Sequence, residues 1–129
     1  MRRTAVAITT LALLAATAGT ASAAYPKSDF GGDTASRDGG TVDGTFTWYE
    51  RSVGVSGAVF DREPAGSTTV TFKFYSGSRL LDIQTRTATN EARKFGWTEP
   101  GPAGGISAVE VYLSYKGSNE FVAKFPRKV

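Results

Sequence analysis

Thr69-Val70-Thr71-Phe72-Lys73-Phe74-Tyr75-Ser76-Gly77-Ser78-Arg79-Leu80-Leu81-Asp82-Ile83-Gln84-Thr85 is the stretch whose reading decides the fold. Val70, Phe72 and Phe74 alternate with Thr71, Lys73 and Tyr75, and Leu81, Ile83 and Thr85 alternate with Asp82 and Gln84. A repeat of two sends successive side chains to opposite faces of an extended chain, and β-branched and aromatic residues suit such a pleated, half-buried surface. Between the runs, Gly77 supplies the positive φ that a type II′ turn needs at its first central position. A two-residue loop at Gly77-Ser78 sets Phe74 against Leu81, Phe72 against Ile83 and Val70 against Thr85 on a core face. Lys73 then meets Asp82 on the opposite face. A slip of one residue would reverse every side chain, so the match of faces argues for this register.

The same alternation runs outward from this hairpin. Phe46 and Trp48, then Val53, Val55 and Val59, precede it; Phe95 and Trp97, then Val109, Val111, Leu113 and Tyr115, then Phe121, Ala123 and Phe125 follow. Turn residues separate the runs at Glu63-Pro64-Ala65-Gly66, Thr89-Asn90-Glu91, Pro100 to Gly105 and Lys116-Gly117-Ser118-Asn119. A three-residue loop at Gly117-Ser118-Asn119 would set Tyr115 against Phe121, Leu113 against Ala123 and Val111 against Phe125. Tyr49-Glu50-Arg51-Ser52 contains no Gly or Asn to make a tight turn, so its path is open. About seven short strands with turns between them predict an all-β, antiparallel β-sandwich of immunoglobulin-like architecture. A jelly roll or a small barrel fits the same pattern. A parallel sheet does not, because its strands are apolar on both faces.

The ends of the chain set its compartment. Met1-Arg2-Arg3 is positive, Ala5 to Ala18 carries no charge, and Ala21-Ser22-Ala23 offers the small-x-small pair that signal peptidase accepts. Residues 1–23 are therefore expected to be a signal peptide, with the protein secreted to the extracellular space or the cell wall. The apolar run is shorter than the ~20 residues of a membrane span, so no membrane span is expected after cleavage. From Ala24 to Gly44 the sequence is polar and glycine-rich without a period, which predicts a flexible N-terminal arm, and residues 45–129 are expected to form one domain. Lys and Arg total 15 against 12 Asp and Glu in the whole chain. Losing Arg2 and Arg3 leaves 13 cations against 12 acids, a charge of +1 without a basic face, so nucleic acid is not an expected partner. Exported, free of cysteine and rich in Ala, Gly, Thr and Arg, the chain resembles small secreted β-sandwich proteins of high-GC Gram-positive bacteria. The likeness is one of composition; it carries no motif and transfers no activity.

Absent residues narrow the chemistry. With no His and no Cys the chain has no Ser-His or Cys-His nucleophile pair and none of the usual zinc ligands. No glycine-rich segment follows a strand and opens a helix, so no phosphate loop and no cofactor are expected. Asp29, Asp33, Asp38 and Asp43 lack the order of a calcium loop. Catalysis would fall to carboxylates, and no spacing singles out a pair able to flank a sugar. An enzyme is not expected. What remains is a set of outward aromatics: the alternation puts Tyr49, Tyr75 and Tyr112 on the face opposite the core. A tyrosine joins a flat apolar body to a polar tip, which suits it to stacking on a sugar or anchoring a protein. The expected function is a secreted, non-catalytic binding module for an extracellular glycan or protein. A structural role in the cell envelope and a carboxylate-dependent hydrolase are the alternatives.

Overall fold

A computed structural model describes residues 24–33, 39–62 and 65–129; the expected signal peptide lies outside them. Eight strands run in the order β1 (Lys27–Asp33), β2 (Gly40–Trp48), β3 (Val53–Asp61), β4 (Thr68–Ser76), β5 (Arg79–Ala88), β6 (Ala92–Glu99), β7 (Ala108–Tyr115) and β8 (Ser118–Pro126). They form two antiparallel four-stranded sheets, β1-β2-β3-β6 and β5-β4-β7-β8. The chain is thus an all-β sandwich, with one strand more than the turn spacing suggests.

The extra strand comes from the stretch expected to be a flexible arm. Lys27–Asp33 is β1, and Gly40 to Gly44 is the first half of β2. The segment looks polar because its one inward-facing aromatic, Phe30, is opposed by Gly44 rather than by another large side chain. Phe30 is 4% exposed and stacks on Phe46 at 4.5 Å between ring centroids. Its ring fills the space that a side chain at position 44 would need. A Cβ at Gly44 would lie 2.5 Å from Phe30 Cζ and 2.2 Å from the Ser56 carbonyl oxygen. Glycine here is a packing partner, so hydropathy along the segment under-reads its burial.

Inward residues of the two sheets interdigitate in one core. Phe46, Trp48, Val53, Val55 and Val59 come from the first sheet; Val70, Phe72, Phe74, Val111 and Leu113 come from the second. Ile106, in the loop before β7, is fully buried and plugs one end. The indole N–H of the buried Trp48 donates to Ser28 Oγ at 2.9 Å, so its polar atom is satisfied inside the core. Tyr49 to Ser52 does reverse the chain, closing the β2–β3 hairpin through Tyr49 N–H to Ser52 O at 3.1 Å.

Both sequence-derived registers need correction, the first because of a β-bulge and the second because its loop is two residues long. At Gly77-Ser78 the two-residue turn is present, with Gly77 at φ 61°, and Tyr75 pairs with Leu80. The register then shifts, so Phe74 opposes Asp82, Phe72 opposes Gln84 and Val70 opposes Arg86. The bulge gives Leu81 to the core margin while turning Ile83 outward, where it is 47% exposed. Lys73 accordingly meets Ile83 on one side and Glu110 on the other rather than Asp82. In the last hairpin the loop is Lys116-Gly117, both at positive φ, with Tyr115 opposite Ser118. That is the dihedral signature of a type I′ turn, reached through a lysine that sequence rules do not flag. A shift after Tyr112 restores Val111 to Ala123 and Val109 to Phe125 on the core side. It also sends Phe121 to the outer face beside Tyr112, at 57% exposure.

Two substitutions test this packing. Phe72→Ala should lower the unfolding free energy by about 3–5 kcal/mol, the usual range for an aromatic-sized core cavity; a loss under about 1 kcal/mol in denaturant titration would contradict its burial. Gly44→Ala adds only a methyl, yet should cost about 1–3 kcal/mol through overpacking, whereas an open flexible arm would not register it.

Candidate functional site

The bulge in β5 has a second effect, on the inner margin of the sandwich. Opposite Phe74, Phe72 and Val70 it places Asp82, Gln84 and Arg86, so this edge strand faces inward with polar side chains. Across the gap, β6 presents Trp97 and Glu99, opposite Val55 and Val53 of β3. The five polar and aromatic groups close a ring. Arg86 Nη1 donates to Gln84 Oε1 at 3.2 Å, and Gln84 Nε2 donates to Asp82 Oδ2 at 2.9 Å. Asp82 is hydrogen-bonded to Glu99, and Trp97 Nε1 donates to Glu99 Oε1 at 3.0 Å. The Arg86 guanidinium then lies over the Trp97 ring at 4.0 Å. Phe72 and Trp97 meet in a T-shaped contact at 5.5 Å.

Two carboxyls in contact cannot both be charged at low cost. Burial, then the Asp82 hydrogen bond, pushes Glu99 up to about 7, while the bond from Glu99 and then that from Gln84 hold Asp82 below the usual range. Below about pH 7 Glu99, only 5% exposed, keeps the shared proton and donates it to the Asp82 carboxylate. Sequence spacing could not pair these acids, because their meeting depends on the bulge.

The tyrosines singled out from the sequence do not all meet. Tyr75 and Tyr112 share the outer face of the second sheet, and both hydroxyls donate to Glu110 Oε1 at 3.0 Å. The Tyr75 hydroxyl is raised in pKa chiefly by that bond, and the Tyr112 hydroxyl chiefly by desolvation and then by the same bond. Lys73 Nζ sits 4.7 Å from the centre of the Tyr112 ring, and Phe121 meets that ring edge-on at 5.5 Å. Leu80 and Ile83 add exposed apolar groups on the β5 side of this face. Beyond Ile83, Thr71 with Thr85 and Thr69 with Thr87 run across β4 and β5 in opposed pairs. The outer face of the first sheet is built instead from Thr41, Asp43, Thr45, Thr47, Ser56 and glycines, with Phe60 as its large apolar residue.

Tyr49 belongs to a different place. It lies at the end of the first sheet, edge-to-face with Tyr25 at 4.8 Å, in the wall of a pocket of about 230 Å³. Arg127 lines the same pocket and holds that end of the sandwich together. Its Nε donates to Ile106 O at 2.6 Å, Nη1 donates to Tyr49 O, and Nη2 reaches Ser52 O at 3.5 Å. The guanidinium also lies over the Trp48 ring at 5.3 Å. Phe121 and Arg127 carry no sequence signal for these roles: Phe121 reads as one of a core-facing set, and Arg127 as a terminal cation.

The acid pair makes stability depend on pH with a fixed sign. Glu99 is held above its ordinary 4.5, so the folded state binds the extra proton; its contribution is complete below 4.5 and lost as pH rises through about 7. Asp82, held below its ordinary 3.8, contributes above that value and loses its share as the pH falls lower. Unfolding should therefore show a higher Tm and a larger unfolding free energy near pH 5 than at pH 8.5, the free energies differing by on the order of 1–3 kcal/mol. Glu99→Gln should flatten this decline; a Tm that climbs from pH 5 to 8.5 would rule out the shared proton.

Set beside known proteins, the chain matches no protein-family model, no curated protein and no solved structure.

Proposed function

We propose that the chain is an exported, non-catalytic binding module of immunoglobulin-like topology that holds a polysaccharide on the outer face of its second sheet. The observation that carries this reading is the convergence of the Tyr75 and Tyr112 hydroxyls on one Glu110 oxygen, with Phe121 exposed beside Tyr112. Rings fixed before a ligand arrives lose little freedom on binding. A sugar has apolar C–H faces and many hydroxyls, so it matches a small set of rings among threonines, Lys73 and Lys124. A protein partner would call for a contiguous apolar centre to the patch. Here the row of Lys73, Glu110 and Lys124 parts Leu80 and Tyr75 from Tyr112 and Phe121.

The residue layout of 1–23 supports export. The topology is supported by strand order. Setting β1 aside, β2-β3-β6 against β5-β4-β7-β8 reproduces an A-B-E sheet facing C′-C-F-G. A non-catalytic role is supported by the acid pair itself. Glycoside hydrolysis uses carboxyls about 5–5.5 Å or about 6.5–9.5 Å apart, whereas Asp82 and Glu99 are in hydrogen-bonding contact and are further occupied by Gln84 and Trp97.

Sedimentation with insoluble cellulose, chitin and peptidoglycan tests the reading. The exported protein should be retained on at least one of them. Tyr112→Ala and Phe121→Ala should each weaken retention at least ten-fold, a loss of about 1.4 kcal/mol or more. Thr45→Ala, on the other sheet, should leave it unchanged. Retention on none of the three, or retention indifferent to both ring deletions, would sink the proposal.

A further inference from the structure

We infer that the end pocket beside Arg127 is a second binding site, one that takes a single acidic sugar residue of the uronate type. The inference rests on the same ligand class as the outer-face reading but on different residues. The pocket, of about 230 Å³, is lined by Tyr25, Trp48, Tyr49, Glu50, Arg127 and Lys128. It is smaller than the ~300–1,000 Å³ of sites for drug-sized ligands, which suits one ring rather than a chain.

Three features fix the chemistry of the occupant. The first is a cation with no carboxylate among its hydrogen-bond partners. Among the described residues, the hydrogen bonds of Arg127 all go to carbonyl oxygens, those of Ile106, Tyr49 and Ser52. Burial lowers its pKa. A half-buried guanidinium held by neutral dipoles favours an anion close by. Lys128, whose ammonium donates to Lys27 O at 2.9 Å, adds a second positive charge to the lining. The second feature is the wall. Tyr25 and Tyr49 meet edge-to-face and give an aromatic surface for the apolar side of a ring. The third is Glu50, a carboxylate that would repel a simple anion but accepts hydrogen bonds from hydroxyls. A ligand must then carry both an acidic group and hydroxyl donors on a compact ring. A uronate does.

Titration of the exported protein with sodium glucuronate, glucose and sodium acetate, read by NMR at the Trp48 indole and the Tyr49 amide, tests this. Glucuronate should shift both signals saturably. Glucose and acetate should each bind at least ten-fold more weakly, because one lacks the charge and the other the ring. Lys128→Ala and Tyr49→Ala should each weaken glucuronate at least five-fold, while Tyr112→Ala leaves it unchanged. Equal shifts from acetate and glucuronate would mean an ion site only, equal shifts from glucose would remove the role of Arg127 and Lys128, and no shift at either reporter would overturn the site. Loss of polysaccharide retention in Tyr112→Ala with glucuronate binding intact separates failure of this site from failure of the outer face.

Discussion

The sandwich depends on how one ring from the second sheet meets the first. Phe72, fully buried in the middle of β4, is approached edge-on by Phe30, Phe46, Phe95 and Trp97, at 5.6, 6.0, 5.6 and 5.5 Å between centroids. Those four rings come from β1, β2 and β6, so one side chain reads the position of three strands across the interface. Edge-to-face contact is favourable over a limited range of angles, which makes the set a geometric key as well as apolar burial. A protein of this size without disulfides needs such a key, because burial by itself does not choose one alignment of two flat faces.

The middle of the fold was legible in the sequence because alternation there reports burial directly. Val70, Phe72 and Phe74 point inward as their period demands, and Trp48 and Trp97 both join the core, the second only half-buried. Legibility fails where one residue is added or a side chain is absent. Bulges after Leu80 and before Ala123 shift the period by one, exchanging Ile83 for Asp82 and sending Phe121 out. No pairwise sum of side-chain preferences anticipates a bulge, because its gain is collected elsewhere, in the ring of groups between β5 and β6. The strand around Phe30 was missed for the converse reason. Its partner is the empty space over Gly44, and period counting has no symbol for a void that another strand fills.

The candidate sites divide along the same line. Tyr75 and Tyr112 were reachable from alternation, since central strands keep their period, and their shared acceptor Glu110 lies one ladder step away. Tyr49 sits past the end of β2, still on the outer face beside Gly54 as alternation assigns it, but it joins a pocket that alternation does not reveal. A site made by distant ends of a chain is written in topology. Only the order of strands brings Tyr25, Tyr49 and Arg127 to one place.

The inward acids and arginine at the β5–β6 margin carry one more consequence. An edge strand offers unpaired amides and carbonyls to any passing chain, and a flat apolar edge is a seed for cross-β growth. A strand that tried to extend either sheet here would have to continue a core row ending in Asp82, Gln84, Arg86 and Glu99, and would meet charge where it needed oil. This side of the molecule is a poor template for fibrils. On the opposite margin the kink at Val122, which packs over Gly32, bends β8 away from the straight ladder that templating requires.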